Sequence, residues 1–206
     1  VLFRSNCNVN GIFVVMHNNE SDNTISCHLG TRVRKNHTSK RGAFQTVGGD
    51  PAFLVVDKKI ENNLKKEFFK DKEYKPRIKI DTNVALIKYY PGYDPKLIDN
   101  FIESGYKAII FEGTGLGHIG KTMYDFVKKA HEKDLFLGMT SQCIDGRINM
   151  NVYESGRDLM QFGITPLSDI IPETALVKAM WALGNSKNIE EIKKLMLENV
   201  ASEFTD

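Results

Sequence analysis

The sequence predicts an α/β fold of two domains, with parallel sheets flanked by helices. Three observations lead to this prediction. After residue 80, short apolar segments alternate with amphipathic helical segments, which is typical of βαβ units. A lysine-rich stretch separates this region from an earlier one of extended segments and turns. The chain has 206 residues, 41% hydrophobic and 26% charged, so it can bury a core in one large domain or two small ones.

The first region is predicted to consist of strands and turns. Residues 11–17 (GIFVVMH) form a continuous apolar run typical of a buried strand. The polar cluster at residues 18–23 (NNESDN) predicts a turn. Residues 24–35 are predicted to be a second extended segment, and residues 48–51 (GGDP) break the chain again.

A linker is predicted at residues 58–80, which are polar, rich in lysine and without a sustained apolar period. We therefore divide the chain into one domain within residues 1–75, linker included, and a second within residues 80–206. The sequence opens on Val1 and not on methionine, from which we expect the chain to be a piece of a longer protein.

The second region is predicted to alternate strands with helices, which favours right-handed crossovers and a parallel sheet. The predicted strands are at residues 83–89, 106–111 and 135–140, and the helices between them at residues 94–104 and 121–133. The last third is predicted to be helical. Pro172 suits the first turn of one helix, and Asn188 with Glu191 resembles a capping box at the start of the next.

Charge and cysteine content exclude several classes of protein. The 28 Lys and Arg residues nearly balance the 26 Asp and Glu residues, leaving a net charge of +2, so there is no overall electrostatic signature for nucleic acid. The three cysteines, Cys7, Cys27 and Cys143, form no C-x-x-C pair. This argues against a disulfide framework and a zinc site and favours a reducing, cytoplasmic setting. No apolar run approaches the roughly 20 residues of a membrane span.

The basic segment from Arg32 to Arg41 is the most informative stretch, because it contains five Lys and Arg residues and no acid. Side chains alternate along a strand, so Arg32 and Arg34 are expected to share one face, and Lys35 the other face with Val33. A lysine on an apolar face is costly unless it is paired or functional. The alternative is a solvated basic strand end, and spacing alone leaves both open.

Two polar segments follow predicted strands directly, where open α/β sheets bind ligands. The first is 112–118 (EGTGLGH) and the second 140–143 (TSQC). Neither is a dinucleotide fingerprint, a Walker A motif or a nucleophile elbow. A tight turn explains the glycines equally well, and Cys143 is interpreted as a structural cysteine.

Several motifs, taken in order, resemble those of the asparaginase-like amidohydrolases. They are GTRVRKNHTSKRGAF, YYPG, FEGTGLGH, MTSQCIDGRINMNVYESGR and IPETALVKAMWALG, and they run over nearly the whole chain. More closely, they resemble the D subunits of archaeal glutamyl-tRNA(Gln) amidotransferases. The resemblance implies an asparaginase-like fold, in which residues 1–75 are the end of the N-terminal catalytic domain and residues 80–206 the C-terminal α/β domain.

The resemblance also implies an amidohydrolase with a threonine nucleophile, in which a second threonine, an aspartate and a lysine form the activating group. The catalytic lysine of the family falls on Lys35. Neither a G-G-T nor a T-D-T motif is present, so the given chain is expected to lack the nucleophile and to be inactive alone. Tyr153 and Glu154 are expected to bind substrate, in trans, at a neighbouring subunit. No metal ligand is expected.

For partners, the resemblance implies an E subunit that carries ATP and Mg²⁺, with no cofactor in this chain. It also implies a homodimer through the asparaginase-like domains, tRNA(Gln) bound mainly by the partner, glutamine or asparagine as substrate, and no membrane. The function implied is the glutaminase that supplies ammonia for converting Glu-tRNA(Gln) to Gln-tRNA(Gln). The alternatives are a stand-alone L-asparaginase and a non-catalytic amino-acid-binding module.

Overall fold

A computed structural model describes residues 9, 11–64 and 75–205 of the chain. The chain divides into two compact units, Val1–Pro76 and Arg77–Asp206. Within the described residues, no helix is both long and apolar enough to cross a bilayer. Of the cysteines, Cys27 and Cys143 remain thiols, and Cys7 lies outside the described residues.

The described residues of the first unit form six short strands in two antiparallel arrangements. They are β1 (Phe13–His17), β2 (Thr24–Leu29), β3 (Val33–Lys35), β4 (Phe44–Thr46), β5 (Phe53–Val56) and β6 (Lys59–Asn62). One sheet has the order β1-β2-β5-β6, and β3 and β4 form a separate hairpin. The apolar side chains of Cys27, Phe53 and Val55 lie in the small core of this unit, with the Phe13 and Phe53 rings edge to face at 5.9 Å.

Two expectations for this unit need correction. Its described strands pair antiparallel, so the prediction of parallel sheets applies to the second unit alone. The predicted linker at 58–80 begins too early, because Lys59–Asn62 is strand β6. Asp57 and Lys58 both have positive φ, at 45° and 67°, and join β5 to β6 in a two-residue hairpin turn. Such turns usually contain Asn or Gly. Neither is present here, so the sequence did not indicate the hairpin. Residues 65–74 of this stretch lie outside the described residues.

The second unit is a parallel sheet flanked by helices, as predicted. The strands β7 (Val84–Lys88), β8 (Ala108–Gly113), β9 (Phe136–Ser141) and β10 (Ile164–Pro166) lie side by side in sequence order. The helices are α1 (Leu97–Glu103), α2 (Tyr124–Glu132), α3 (Glu154–Gln161), α4 (Pro172–Gly184) and α5 (Ile189–Leu197), and a short 3₁₀ turn, Lys121–Met123, precedes α2.

The two faces of this sheet bury different side chains because residues alternate along each strand. Ile109 and Phe111 of β8 face a core shared with α1, α2 and α3. Ala108 and Ile110 face the opposite core, which contains the alanine-rich side of α4 and the apolar side of α5. Because both faces are covered, the strands are continuously apolar, which is why their positions were predictable from the sequence.

Helix ends in this unit follow the expected rules. Pro172 is the first residue of α4, where its missing N–H costs nothing. Asn188 caps α5 by accepting a hydrogen bond from the Glu191 backbone N–H at 2.9 Å. The Glu191 carboxylate accepts in turn from the Lys187 backbone N–H at 2.8 Å, one residue earlier than in a standard capping box. The sequence did not predict α3 or β10.

Candidate active-site residues

Lys35 is the last residue of β3, and its cross-strand neighbour is Phe44 of β4. Its side chain is exposed, and its Nζ lies 6.0 Å from the centre of the Phe44 ring. Of the two alternatives that spacing left open, the described residues favour the solvated strand end for Lys35. Residues 36–41 of the following loop are exposed as well, so the long Lys35 side chain keeps its ammonium group in water.

The buried basic residue of this segment is Arg32, just before β3. Its Nε and Nη2 both donate to the Val47 carbonyl oxygen, at 3.2 and 3.1 Å. The backbone is bonded as well, since the Val47 N–H donates to the Arg32 carbonyl at 2.8 Å. Arg32 thus holds the two strands together at the end of the hairpin opposite its loop. Lys35 lies at the loop end.

His28 supports the same hairpin from strand β2. The side chain is only 2% exposed, and its Nδ1 lies 2.9 Å from the Thr46 Oγ1. Thr46 pairs with Val33, on the face that also carries Lys35 and Phe44. Burial lowers the pKa of His28, so the ring is neutral at neutral pH. The His28 Nε2 is buried with no hydrogen-bond partner among the described residues.

The carboxyl ends of the parallel strands carry the second group of candidates. The turn after β8 is closed by paired backbone bonds between Thr114 and His118, at 2.8 and 3.0 Å. Gly115 and Gly117 have φ of +49° and +98°, a conformation that favours glycine. Ser141 at the end of β9 donates to the Gly115 carbonyl at 2.7 Å, so the ends of β8 and β9 are joined.

Tyr153 and Glu154 lie at this edge, at the start of helix α3. Tyr153 occupies the N-cap position without a side-chain capping bond and is 58% exposed, and Glu154 is exposed in the first turn of the helix. The Tyr153 ring contacts the His118 ring edge to face at 5.5 Å. The two predicted residues are therefore accessible to a ligand, whereas Lys35 lies in the other unit.

His118 and Ser155 belong to this group although the sequence did not single them out as site residues. The His118 Nδ1 lies 3.2 Å from the Ser155 Oγ, and the Tyr124 hydroxyl donates to the Ser155 carbonyl at 3.3 Å. Gly115 and Gly117, which precede His118 in the turn, are the sequence signal that could have indicated this residue. Among the described residues, no group of three or more His, Cys, Asp or Glu side chains could hold a metal ion.

A comparison with protein families shows which domain the second unit corresponds to. Residues 83–196 match the model of the glutaminase/asparaginase C-terminal domain, a segment that includes β7 to β10 and nearly all of the helices described above. This chain belongs to the glutaminase/asparaginase family. The predicted resemblance is confirmed at this level.

Curated relatives of this glutaminase/asparaginase chain include D subunits of archaeal amidotransferases. The D subunit of glutamyl-tRNA(Gln) amidotransferase from Sulfolobus acidocaldarius is 45% identical over 99% of this chain and 46% of its own length. The D subunit from Pyrococcus abyssi is 43% identical over 94% of this chain and 45% of its own length. The closer resemblance to D subunits is confirmed, and the chain spans about half the length of these relatives.

Solved structures confirm the asparaginase-like fold. The thermostable L-asparaginase from Thermococcus kodakarensis superposes with a TM-score of 0.83 at 30% identity, over 95% of this chain and 58% of that one. L-asparaginase I from Vibrio cholerae superposes with a TM-score of 0.79 at 26% identity, over 90% of this chain and 56% of that one. The glutaminase/asparaginase chain thus shares its fold with enzymes over nearly all of its length.

Proposed function

We propose that this chain is part of the glutaminase subunit of a tRNA-dependent amidotransferase. The observation that supports this most is its 45% identity, over 99% of its length, to the D subunit of a glutamyl-tRNA(Gln) amidotransferase. The whole protein would hydrolyse glutamine and supply ammonia for converting Glu-tRNA(Gln) to Gln-tRNA(Gln). In this proposal, Lys35 is the catalytic lysine, and Tyr153 with Glu154 binds substrate at a neighbouring subunit.

The chemistry proposed is amide hydrolysis in two steps. A threonine hydroxyl attacks the side-chain carbonyl carbon of glutamine, and the C–N bond breaks to release ammonia. Water then cleaves the resulting ester and yields glutamate. Lys35 would move a proton at the threonine–aspartate pair that activates the nucleophile, as a base activates hydroxyl nucleophiles in general. The exposed position of Lys35 at a strand end leaves its ammonium group accessible for this role.

The proposal also includes partners and location. The E subunit would activate Glu-tRNA(Gln) with ATP and Mg²⁺, with no cofactor in this chain, and tRNA(Gln) would be bound mainly by that partner. A homodimer would form through the asparaginase-like units, as the proposed contribution of Tyr153 and Glu154 in trans requires. A cytoplasmic location is proposed with this function, because the relatives named above are subunits of a glutamyl-tRNA(Gln) amidotransferase.

The decisive experiment measures ammonia release by the protein made at the length of its amidotransferase relatives, with and without Lys35→Ala. We expect the variant to lose at least about 100-fold in kcat for glutamine, because proton transfer by a positioned side chain contributes about 10²–10⁴-fold. Its unfolding midpoint should match the wild type, since Lys35 is exposed. Wild-type turnover in Lys35→Ala would refute the assignment and return Lys35 to a solvated strand end.

A stand-alone L-asparaginase is the second candidate, favoured by the superposition on L-asparaginase from Thermococcus kodakarensis. Two measurements separate the candidates: the ratio of kcat/KM for glutamine and asparagine, and co-purification with a synthetase-like subunit. Preference for glutamine together with a co-purifying subunit supports the amidotransferase. Preference for asparagine in an isolated protein supports the second candidate, and binding of either amino acid without turnover would favour the amino-acid-binding module.

A further inference from the structure

The loop that follows Lys35, residues 36–43, connects the two strands of the β3–β4 hairpin. Each strand has only three residues, and a two-stranded hairpin is marginally stable by itself. Lys35 is the last paired residue before the loop. The position of its side chain therefore depends on how the loop is held, in addition to the support from Arg32 and His28 at the other end.

The side chain of His37 holds the middle of this loop. Its Nδ1 accepts hydrogen bonds from two backbone N–H groups, those of Ser39 at 3.1 Å and Lys40 at 3.0 Å. A ring nitrogen can accept only through its lone pair, so Nδ1 carries no proton in this arrangement. The imidazole thus acts as a local turn-forming acceptor, as Asn and Asp side chains do for backbone N–H groups two residues ahead.

The two ends of the loop are bonded as well. Next to Lys35, the Asn36 N–H donates to the Ala43 carbonyl at 2.7 Å, and the Asn36 side chain donates to Gln45 Oε1 at 2.8 Å. At the far end, Arg41 donates to Asp22 and to the His17 Nε2, in and beside the β1–β2 turn.

Gly42 brings the far end of the loop against this turn. A Cβ atom at Gly42 would lie 2.7 Å from the Asn18 carbonyl oxygen, so the backbones are in direct contact. Both ends of the loop are therefore fixed, and its middle, residues 37–40, is closed by the His37 ring.

We propose that His37 is a positioning residue for Lys35, acting through Nδ1 as the acceptor that keeps residues 36–40 in the turn that places Lys35. The inference rests on the proposed function, since it assigns His37 a part in the same glutamine hydrolysis. His37 contacts no reacting group in this proposal. It restricts the loop adjoining Lys35, and small displacements of a catalytic group are costly in rate.

The test compares three variants of the full protein at the length of its relatives: His37→Ala, His37→Asn and Thr38→Ala. His37→Ala removes the acceptor and should lower kcat for glutamine about tenfold with little change in KM. His37→Asn supplies an amide oxygen that can accept from the Ser39 N–H and should return kcat to within about threefold of the wild type. Thr38→Ala alters an exposed neighbour in the same loop and should leave kcat unchanged.

A second readout does not depend on catalysis. Hydrogen exchange at the Ser39 and Lys40 amides should become faster in His37→Ala and remain slow in His37→Asn, because these amides lose or keep their acceptor. Equal kcat in the wild type, His37→Ala and His37→Asn would overturn the inference, as would equal losses in both His37 variants. Full activity in Lys35→Ala would refute the assignment of Lys35 as the catalytic lysine. The inference about His37 depends on that assignment and would be refuted with it.

Discussion

At the scale of single residues, the second unit contains a buried ion pair between Lys178 and Glu203. Their side chains are 6% and 3% exposed. Glu203 accepts hydrogen bonds from Lys178 and from the backbone N–H groups of Val200 and Ala201. Lys178 also donates to the Glu198 carbonyl and lies 5.0 Å from the Phe204 ring centre. The pair thus holds residues 198–204 against helix α4.

The ionisation of this pair follows from its surroundings. Burial alone would raise the pKa of Glu203, but hydrogen bonds from Lys178 and the Ala201 N–H outweigh it and hold that pKa below its ordinary value. Burial lowers the pKa of Lys178, which pairing with Glu203 offsets only in part. The Glu203 carboxylate is ionised, because three donors converge on it.

Removing one partner should destabilise the chain strongly. Glu203→Ala leaves Lys178 buried without its counter-charge, and we expect a loss of about 3–5 kcal/mol in the free energy of unfolding. The double variant Lys178→Met with Glu203→Leu should recover part of that loss, because an apolar pair of similar volume avoids the desolvation cost of the two charges, although the Val200 and Ala201 N–H groups lose their acceptor. Urea titration measures both. A loss below about 1 kcal/mol in Glu203→Ala would show that the pair contributes little.

The depressed pKa of Glu203 also predicts an acid dependence. The folded protein binds fewer protons at Glu203 than the unfolded chain does, so this contribution is complete above the unfolded pKa, about 4.3. It is lost as the pH falls through the folded value. Between about pH 5 and pH 3, the wild type should therefore lose more unfolding free energy than the Lys178→Met, Glu203→Leu variant. Parallel curves for the two proteins would contradict this.

Residue-level patterns made part of the candidate site predictable. Lys35 could be named because the VRKNHT motif carried the resemblance. Whether it is exposed could not be decided from the sequence, since alternation along β3 does not show whether each face is covered. His118 and Ser155 are 37 residues apart and meet because the turn after β8 and the start of α3 lie at the same sheet edge. Local spacing contains no signal for such a contact.

At the scale of elements, the segment of residues 77–83, which we call the strap, lies along helix α4. The Trp181 Nε1 donates to the Arg77 carbonyl at 2.9 Å, and the Arg77 guanidinium lies 4.5 Å from the centre of the Trp181 ring. Asn185 donates to the Lys79 carbonyl at 2.8 Å. At Gly184 a Cβ would lie 2.6 Å from the Lys79 carbonyl atoms. Because Gly184 has no side chain, the backbone of the strap packs directly against the last turn of α4.

Gly184→Ala should displace the strap from α4. Trp181 is the single tryptophan of the chain, so its fluorescence reports on this place alone, and we expect a red shift of the emission maximum as the ring becomes more exposed. Gly49→Ala is the matched control, because a Cβ there meets nothing within 4 Å. Identical emission spectra for Gly184→Ala and the wild type would show that the strap accommodates a methyl group.

Burial, length and local composition explain which elements of the fold could be predicted from the sequence. The strands β8 and β9 are buried on both faces, β7 has only Leu86 and Lys88 exposed, and all three appear as apolar runs. Helix α4 has Pro172 at its start and a clear apolar stripe. Helix α3 was missed because Ser155 and Gly156 in its first turn are poor helix formers, and strand β10 because it has three residues. In β6 the side chains are mostly exposed, so its sequence looked like a linker.

At the scale of the whole molecule, activity should depend on chain length. The 206 residues contain neither a G-G-T nor a T-D-T motif, and they span 46% of the relative from Sulfolobus acidocaldarius. We expect the purified 206-residue chain to release no ammonia from glutamine above the buffer background, whereas the protein at the length of its relatives does. Glutamine hydrolysis by the 206-residue chain would require a nucleophile within it and would refute the proposed mechanism.

The sequential strand order of the second unit also has a kinetic consequence. Strands β7 to β10 lie in the sheet in the order in which they are synthesised, so each new βα segment adds to an edge that already exists. In the first unit β2 pairs with β5, across an intervening hairpin. Proteins rich in contacts between near neighbours in sequence fold faster, and chains begin to fold while they are being made. The second unit is therefore suited to assembling strand by strand at the ribosome.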